Sequence, residues 1–214
     1  MQGNNFEKVR RLIGGLLRTP QYTVNYLLTN SLWKTPLELE IPWFSYAAID
    51  FLKSVLRRDM TVFEYGSGGS TLFFAKRSLS VMSTEDNLAW LKKVERRIQQ
   101  DDLRNVTLQY REFDTNNPSH FESSDYLHSI PSSQFDVIVV DGTEKYIGQA
   151  GKHLVRPMCF YHAEKYVNRG GMIVVDDSWC YRELRHTNRA KEYRVFQSVG
   201  PCRPGITSTD IFFY

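Results

Sequence analysis

Apolar and polar positions change rhythm near residue 61. Before it, residues 1–60 read as amphipathic helices, with Pro20, Pro36 and Pro42 as breaks. Pro42-Trp43-Phe44-Ser45-Tyr46 leads into the last of these, predicted through Arg58, with Ala48, Phe51, Leu52 and Val55 at helical spacing. After it, short apolar runs alternate with helical stretches. Thr61–Tyr65, Ser80–Thr84, Val106–Tyr110 and Met172–Val175 read as strands, and Phe135–Val140 is apolar enough to be covered on both faces. A glycine loop and a short helix through Arg77 follow the first strand. A helix over Asn87–Gln100 puts Leu88, Leu91, Val94 and Ile98 on one face, with Asn87 as its cap. Gly148–Asn168 is predicted mostly helical, broken or kinked by Pro157. Glu192–Ser198 and Thr209–Tyr214 read as a closing pair of strands. The stretch 111–134, with Pro118, Pro131 and several serines, reads as a loop over the ligand side or a surface insertion. Alternating strands and helices predict an α/β fold, a mainly parallel sheet with helices on both faces.

Composition narrows this little. The chain has 214 residues, enough for one domain with an elaboration. A 42 % hydrophobic and 24 % charged composition excludes a disordered, collagenous or coiled-coil chain. The net charge of +3 is low for a nucleic-acid binder, so nucleic acid is not expected as partner. The three cysteines, Cys159, Cys180 and Cys202, show no C-x-x-C spacing, which favours reduced thiols and a cytoplasmic location. Leu12–Leu17 is too short for a signal sequence or a membrane span.

The sharpest motif is Glu64-Tyr65-Gly66-Ser67-Gly68-Gly69-Ser70-Thr71, between a strand and a helix, with Glu85 closing the next strand. Glycines there permit a tight turn and a close ligand, and an acid at position 85 suits ribose hydroxyls. A dinucleotide would want a third glycine where Thr71 stands, and Glu64 would oppose its diphosphate. S-adenosylmethionine carries cations that a carboxylate favours. It is therefore the preferred ligand, and an NAD-dependent oxidoreductase is disfavoured. A plain strand-to-helix turn is the competing structural explanation.

These residues, with Phe135-Asp136-Val137-Ile138-Val139-Val140-Asp141-Gly142 and Gly170-Gly171-Met172-Ile173-Val174-Val175-Asp176-Asp177, resemble the class I S-adenosylmethionine-dependent methyltransferases over residues 61–214. Pro42–Tyr46, Glu64–Thr71, Val140–Gly142 and Thr207–Phe213 resemble one poorly characterised branch of them. Ser70 stands where that family often has its third glycine. The resemblance implies a Rossmann-like, doubly wound seven-stranded sheet in the order 3-2-1-4-5-7-6, with strand 7 antiparallel. It divides the chain into an N-terminal helical cap, 1–60, and a methyltransferase core, 61–214. It implies that Glu64, Gly66 and Gly68 line the methionine part of the cofactor and that Ser67 is a further cofactor-binding residue. Ser70 and Thr71 would meet its carboxylate, or merely cap the helix, and Glu85 would hold the ribose. Glu112 or Asp114 would contact adenine.

Asp141 is the expected acceptor-side catalytic residue, with a turn aspartate as the alternative. Asp141, Asp176 and Asp177 also resemble the metal-binding acids of catechol-type O-methyltransferases. A divalent ion there is a minority expectation, because Glu144 stands where those enzymes have a lysine. Trp43, Phe44 and Tyr46 are candidates for a lid or for core packing. His153 is a further candidate base or an exposed helix residue, and Arg182, Arg185, Arg189, Lys191 and Arg194 form a loose basic patch. The activity expected is methyl transfer to a small molecule or glycan, with a non-catalytic binding module as the alternative.

Overall fold

The computed structural model describes residues 5–31, 34–114, 118–143, 155–201 and 203–214. Its centre is a seven-stranded sheet: β1 (Thr61–Tyr65), β2 (Ser80–Glu85), β3 (Val106–Tyr110), β4 (Phe135–Val140), β5 (Val167–Val175), β6 (Glu192–Val199) and β7 (Ile206–Phe213). The strand order is β3-β2-β1-β4-β5-β7-β6. β1 to β5 pair in parallel and β7 runs antiparallel to both neighbours, as expected.

Side chains alternate between the two faces of each strand, so each face has its own core. Val62, Val137, Val139, Val174 and Ile211 pack on one side with α4 (Tyr46–Val55) and α5 (Gly69–Ala75). Phe63, Tyr65, Ile138, Val140, Ile173 and Val175 pack on the other with α8 (Val155–Ala163). On the first side lie also α1 (Asn5–Arg18) and α2 (Thr23–Ser31), whose Leu12, Leu16 and Tyr26 join that core. The short helix α3 (Pro36–Leu39) is fixed by a capping box between Thr35 and Glu38. The helix α6 (Leu88–Gln100) follows β2 and buries Leu91, Val94 and Ile98; the Asn87 side chain caps it, accepting from Trp90 N at 3.0 Å.

Three local expectations need correction. The helix predicted through Arg58 ends at Val55, and Leu56 is extended. The helix predicted to Asn168 ends at Ala163, because β5 starts at Val167 and bulges before its register with β4 settles. The predicted start of that helix at Gly148 lies outside the described residues, and Pro157 stands within α8. Finally, 111–134 is no surface insertion. It contains α7 (Pro118–Glu122), and Phe113, Phe121, Tyr126, Leu127 and Ile130 are buried against Tyr65 and its neighbours.

Candidate functional site

Parallel register brings the carboxyl ends of β1, β2, β4 and β5 to one edge. Alternation then puts Glu64, Asp141 and Asp176 on the same face, that of α5. Glu64 stands opposite Ser83 of β2 and accepts its hydroxyl at 2.7 Å through Oε2. Glu64 Oε1 is buried with no hydrogen-bond partner. Burial raises the Glu64 pKa to about 7, against the pull of Ser83, Ser70 and Thr71 and with a further push from Asp141. A buried carboxylate oxygen with a spare lone pair suits a cationic ligand or an ordered donor.

Gly66 turns the chain out of β1 at φ +98, and a Cβ there would lie 2.9 Å from Gly142 Cα. The loop is then fastened from three directions. Gly66 N donates to Thr84 O, Gly68 N donates to Thr71 Oγ1, and Ser67 donates through N (3.1 Å) and Oγ (2.7 Å) to Glu85 Oε2. Asn87 N donates to the other Glu85 oxygen at 3.0 Å. Burial raises the Glu85 pKa. Trp90 Nε1 donates to Ser67 O at 2.8 Å. At Gly69 a Cβ would lie 2.3 Å from the carbonyl oxygens of both Pro36 and Ile41, so only glycine lets the N-terminal segment close on the loop.

A cavity of about 470 Å³ opens over this loop. Gly66, Ser67, Gly68, Gly69, Ser70, Glu85 and Asp141 line it, together with Pro36, Leu37, Ile41, Trp43, Asn87, Trp90 and Arg156. Of the residues expected from sequence, Glu64 and Thr71 are buried and outside the lining, and the Thr71 hydroxyl oxygen accepts from Gly68 N. Glu112 and Asp114 are exposed outside the lining, and His153 lies outside the described residues. Phe44 and Tyr46 are core residues, whereas Trp43 is exposed at the cavity wall. Arg185 of the basic patch is committed to the buried Asp210 at 2.7 Å.

A second cavity, of about 320 Å³, shares Trp43, Asp141 and Arg156 with the first and adds Asp176, Asp177, Pro201 and Arg203. The acidic trio does converge, around a guanidinium that no motif marks in the sequence. Arg156 Nη2 lies 3.2 Å from Asp141 and Nη1 3.9 Å from Asp177, while Nε and Nη1 donate to the carbonyls of Gly142 and Asp176. Arg203 pairs with Asp177, and Thr209 donates to Asp176 at 2.8 Å. Asp177, two residues beyond the end of β5, adopts a left-handed conformation, φ 52. Burial raises Asp141 to about 6, Arg156 lowers it and Asp177 raises it. Burial, then Asp141 and Asp177, push Asp176 well above its ordinary range. Among the described residues no acid, histidine or cysteine cluster is arranged to hold a metal ion. Arg156 lies between two of the three carboxylates proposed for one.

No family model matches the chain, and no curated protein matches it. Solved structures do match its fold. A methyltransferase of Streptococcus mutans in complex with SAH aligns at TM-score 0.55 and 13 % identity, over 85 % of this chain and 99 % of that one. An rRNA methylase of Streptococcus thermophilus aligns at 0.55 and 15 %, over 84 % and 97 %. An O-methyltransferase of Klebsiella pneumoniae aligns at 0.57 and 15 %, over 78 % and 77 %. The chain has the fold of the class I S-adenosylmethionine-dependent methyltransferases. In that methyltransferase fold the ligand edge of the sheet is the carboxyl edge, and here it carries both cavities. Trp90, Arg156 and Arg203 are among the lining residues that sequence reasoning missed, with Leu37, Ile41 and Pro201. Trp90 alone had a usable signal, three positions after the capping Asn87.

Proposed function

We propose that this chain is an S-adenosylmethionine-dependent methyltransferase that acts on a small-molecule or glycan acceptor. The observation that carries the cofactor is Glu64, a fully buried carboxylate with one oxygen unpartnered beside the glycine loop. The residues fit the group. Glu64, buried behind the loop and outside the lining, offers charge for its cationic methionine end, Gly66, Ser67, Gly68 and Ser70 offer a close backbone, and Glu85 borders the cavity where ribose would lie. Thr71 acts by holding Gly68 in place. The bound cofactor supplies an electrophilic methyl group on sulfur.

The smaller cavity is the acceptor side in this reading. Trp43 and Pro201 cover the acceptor, and Arg203 and Asp177 orient its polar groups. Asp141, at the shared wall and with its pKa near 6, is ionised at neutral pH and takes the acceptor proton. Residues 1–60 serve as a cap, since Pro36, Leu37, Ile41 and Trp43 all line the larger cavity. A divalent ion at the trio has less support, with Arg156 already neutralising Asp141 and Asp177. Nucleic acid as acceptor rests only on fold likeness to rRNA methylases.

Calorimetry with S-adenosylmethionine, S-adenosylhomocysteine and NAD tests the reading. Micromolar binding of S-adenosylhomocysteine, about −8 kcal/mol, is expected. Binding of NAD without S-adenosylhomocysteine would refute it.

A further inference from the structure

Seven of the fifteen large apolar side chains exposed among the described residues fall between positions 6 and 28. Four belong to α1. Phe6, Val9, Ile13 and Leu17 follow the spacing i, i+3, i+7, i+11 and so form one stripe along the helix. Each is more than half exposed, Phe6 at 76 % and Leu17 at 77 %. This stripe is not the face that folding uses. Leu12 and Leu16 pack into the core, and a Cβ on Gly15 would lie 2.9 Å from Val199 Cγ1, so the helix sits tightly on the β6–β7 hairpin. The other three, Val24, Leu27 and Leu28, form a second exposed face on α2, opposite the buried Tyr26.

Charge identifies what covers these faces. Residues 1–31 hold Lys8, Arg10, Arg11 and Arg18 against a single acid, Glu7. The chain's entire excess of +3 therefore resides in this segment, and the remaining residues balance. A helix with Phe, Val, Ile and Leu on one side, Arg10 flanking that stripe and Lys8 and Arg18 exposed on its other sides fits the boundary between headgroups and acyl chains of an anionic bilayer. Among the described residues no helix is long and apolar enough to cross a membrane, so the fit is to a surface. We propose that α1 and α2 dock this protein on an anionic membrane surface.

The docking face is tied to the cavity attributed above to the acceptor. Gly205, against which α1 packs, stands two residues from Arg203 in the turn between β6 and β7. A surface-bound molecule thus holds one wall of that cavity close to its docking helix.

Co-sedimentation of the full chain with vesicles of phosphatidylcholine, with and without phosphatidylglycerol, tests the proposal. Binding is expected only to the phosphatidylglycerol vesicles. Ile13→Glu with Leu17→Glu should weaken it at least tenfold, through lost apolar burial and added repulsion. Arg10→Gln with Arg18→Gln should weaken it about fivefold per charge, and high salt should do the same. Both variant pairs alter exposed side chains, and an unchanged unfolding midpoint confirms that each is folded. Failure to bind anionic vesicles, or equal binding to neutral ones, overturns the proposal. So does a concentration-dependent dimer that Ile13→Glu dissociates, which would assign the face to a second copy of the chain. None of these outcomes depends on the methyltransferase reading, which calorimetry tests separately.

Discussion

Replacing Glu64 by glutamine removes a buried charge without changing the shape of the side chain. In the fold its pKa is about 7, against an ordinary 4.5. Because the folded value is the raised one, the folded protein holds a proton that the unfolded chain has lost between pH 4.5 and 7. Stability must then fall as pH rises through that window, by about 1.4 kcal/mol per pH unit, and level off above it. The accumulated cost at pH 8 is about 3 kcal/mol. A glutamine cannot ionise, so the variant lacks this slope whatever its absolute stability. Urea unfolding of both proteins from pH 4 to 9 measures the difference, in which the other titrating groups largely cancel. Wild type should lose ground to Glu64→Gln steadily up to pH 7. In the proposed reading the ligand reverses the sign, since the ammonium group that S-adenosylmethionine and S-adenosylhomocysteine share favours an ionised carboxylate. S-adenosylhomocysteine should release up to one proton on binding at pH 6, and Glu64→Gln should abolish that release. A difference curve flat in pH would refute the burial argument. Proton-neutral binding to the wild type would refute the pairing of Glu64 with the ligand.

Gly69→Ala should force the 36–41 segment off the loop, costing about 1–3 kcal/mol in urea unfolding and weakening S-adenosylhomocysteine in calorimetry. Tyr126 Oη is buried without a partner, so Tyr126→Phe should raise stability by about 1 kcal/mol. Because a Cβ on Gly142 would lie 2.0 Å from that oxygen, Gly142→Ala should be destabilising alone and milder beside Tyr126→Phe, as a double-mutant cycle would show. With Asp141 as base, turnover should rise with pH through about 6, and Asp141→Asn should lower it about a hundredfold or more while S-adenosylhomocysteine affinity stays within a few-fold.

The strands and the glycine loop are legible because their signals are local. Runs such as Phe135–Val140 announce burial by themselves, and Glu64 to Thr71 combines a turn with a strand before it. Their spatial order comes from resemblance to a known sheet. What escapes is set by distant contacts. Arg156 looks like any arginine until α8 lays it across the ends of β4 and β5. Residues 111–134 read as a loop because proline and serine mark one, while the three aromatics that bury the segment are spread at irregular spacing. The helix predicted to Asn168 stops short where sheet pairing captures Val167. The trio of acids is visible in the sequence but its guanidinium partner is not, and without that partner a metal is the natural counter-charge to weigh.

The single guanidinium at the junction of the two cavities bears on how the acceptor range of this scaffold could be changed. Arg156 joins the backbone beyond β4 to the backbone beyond β5 and neutralises acids on both. Replacing Arg156 would therefore disturb charge balance and strand ends together, leaving buried acids unpaired. Trp43 and Pro201 border the same space from the segment before α4 and from the β6–β7 turn and carry no charge, whereas Arg203 pairs with Asp177. In the proposed reading, a library aimed at new acceptors would do best to vary Trp43 and Pro201 and leave the charged residues intact.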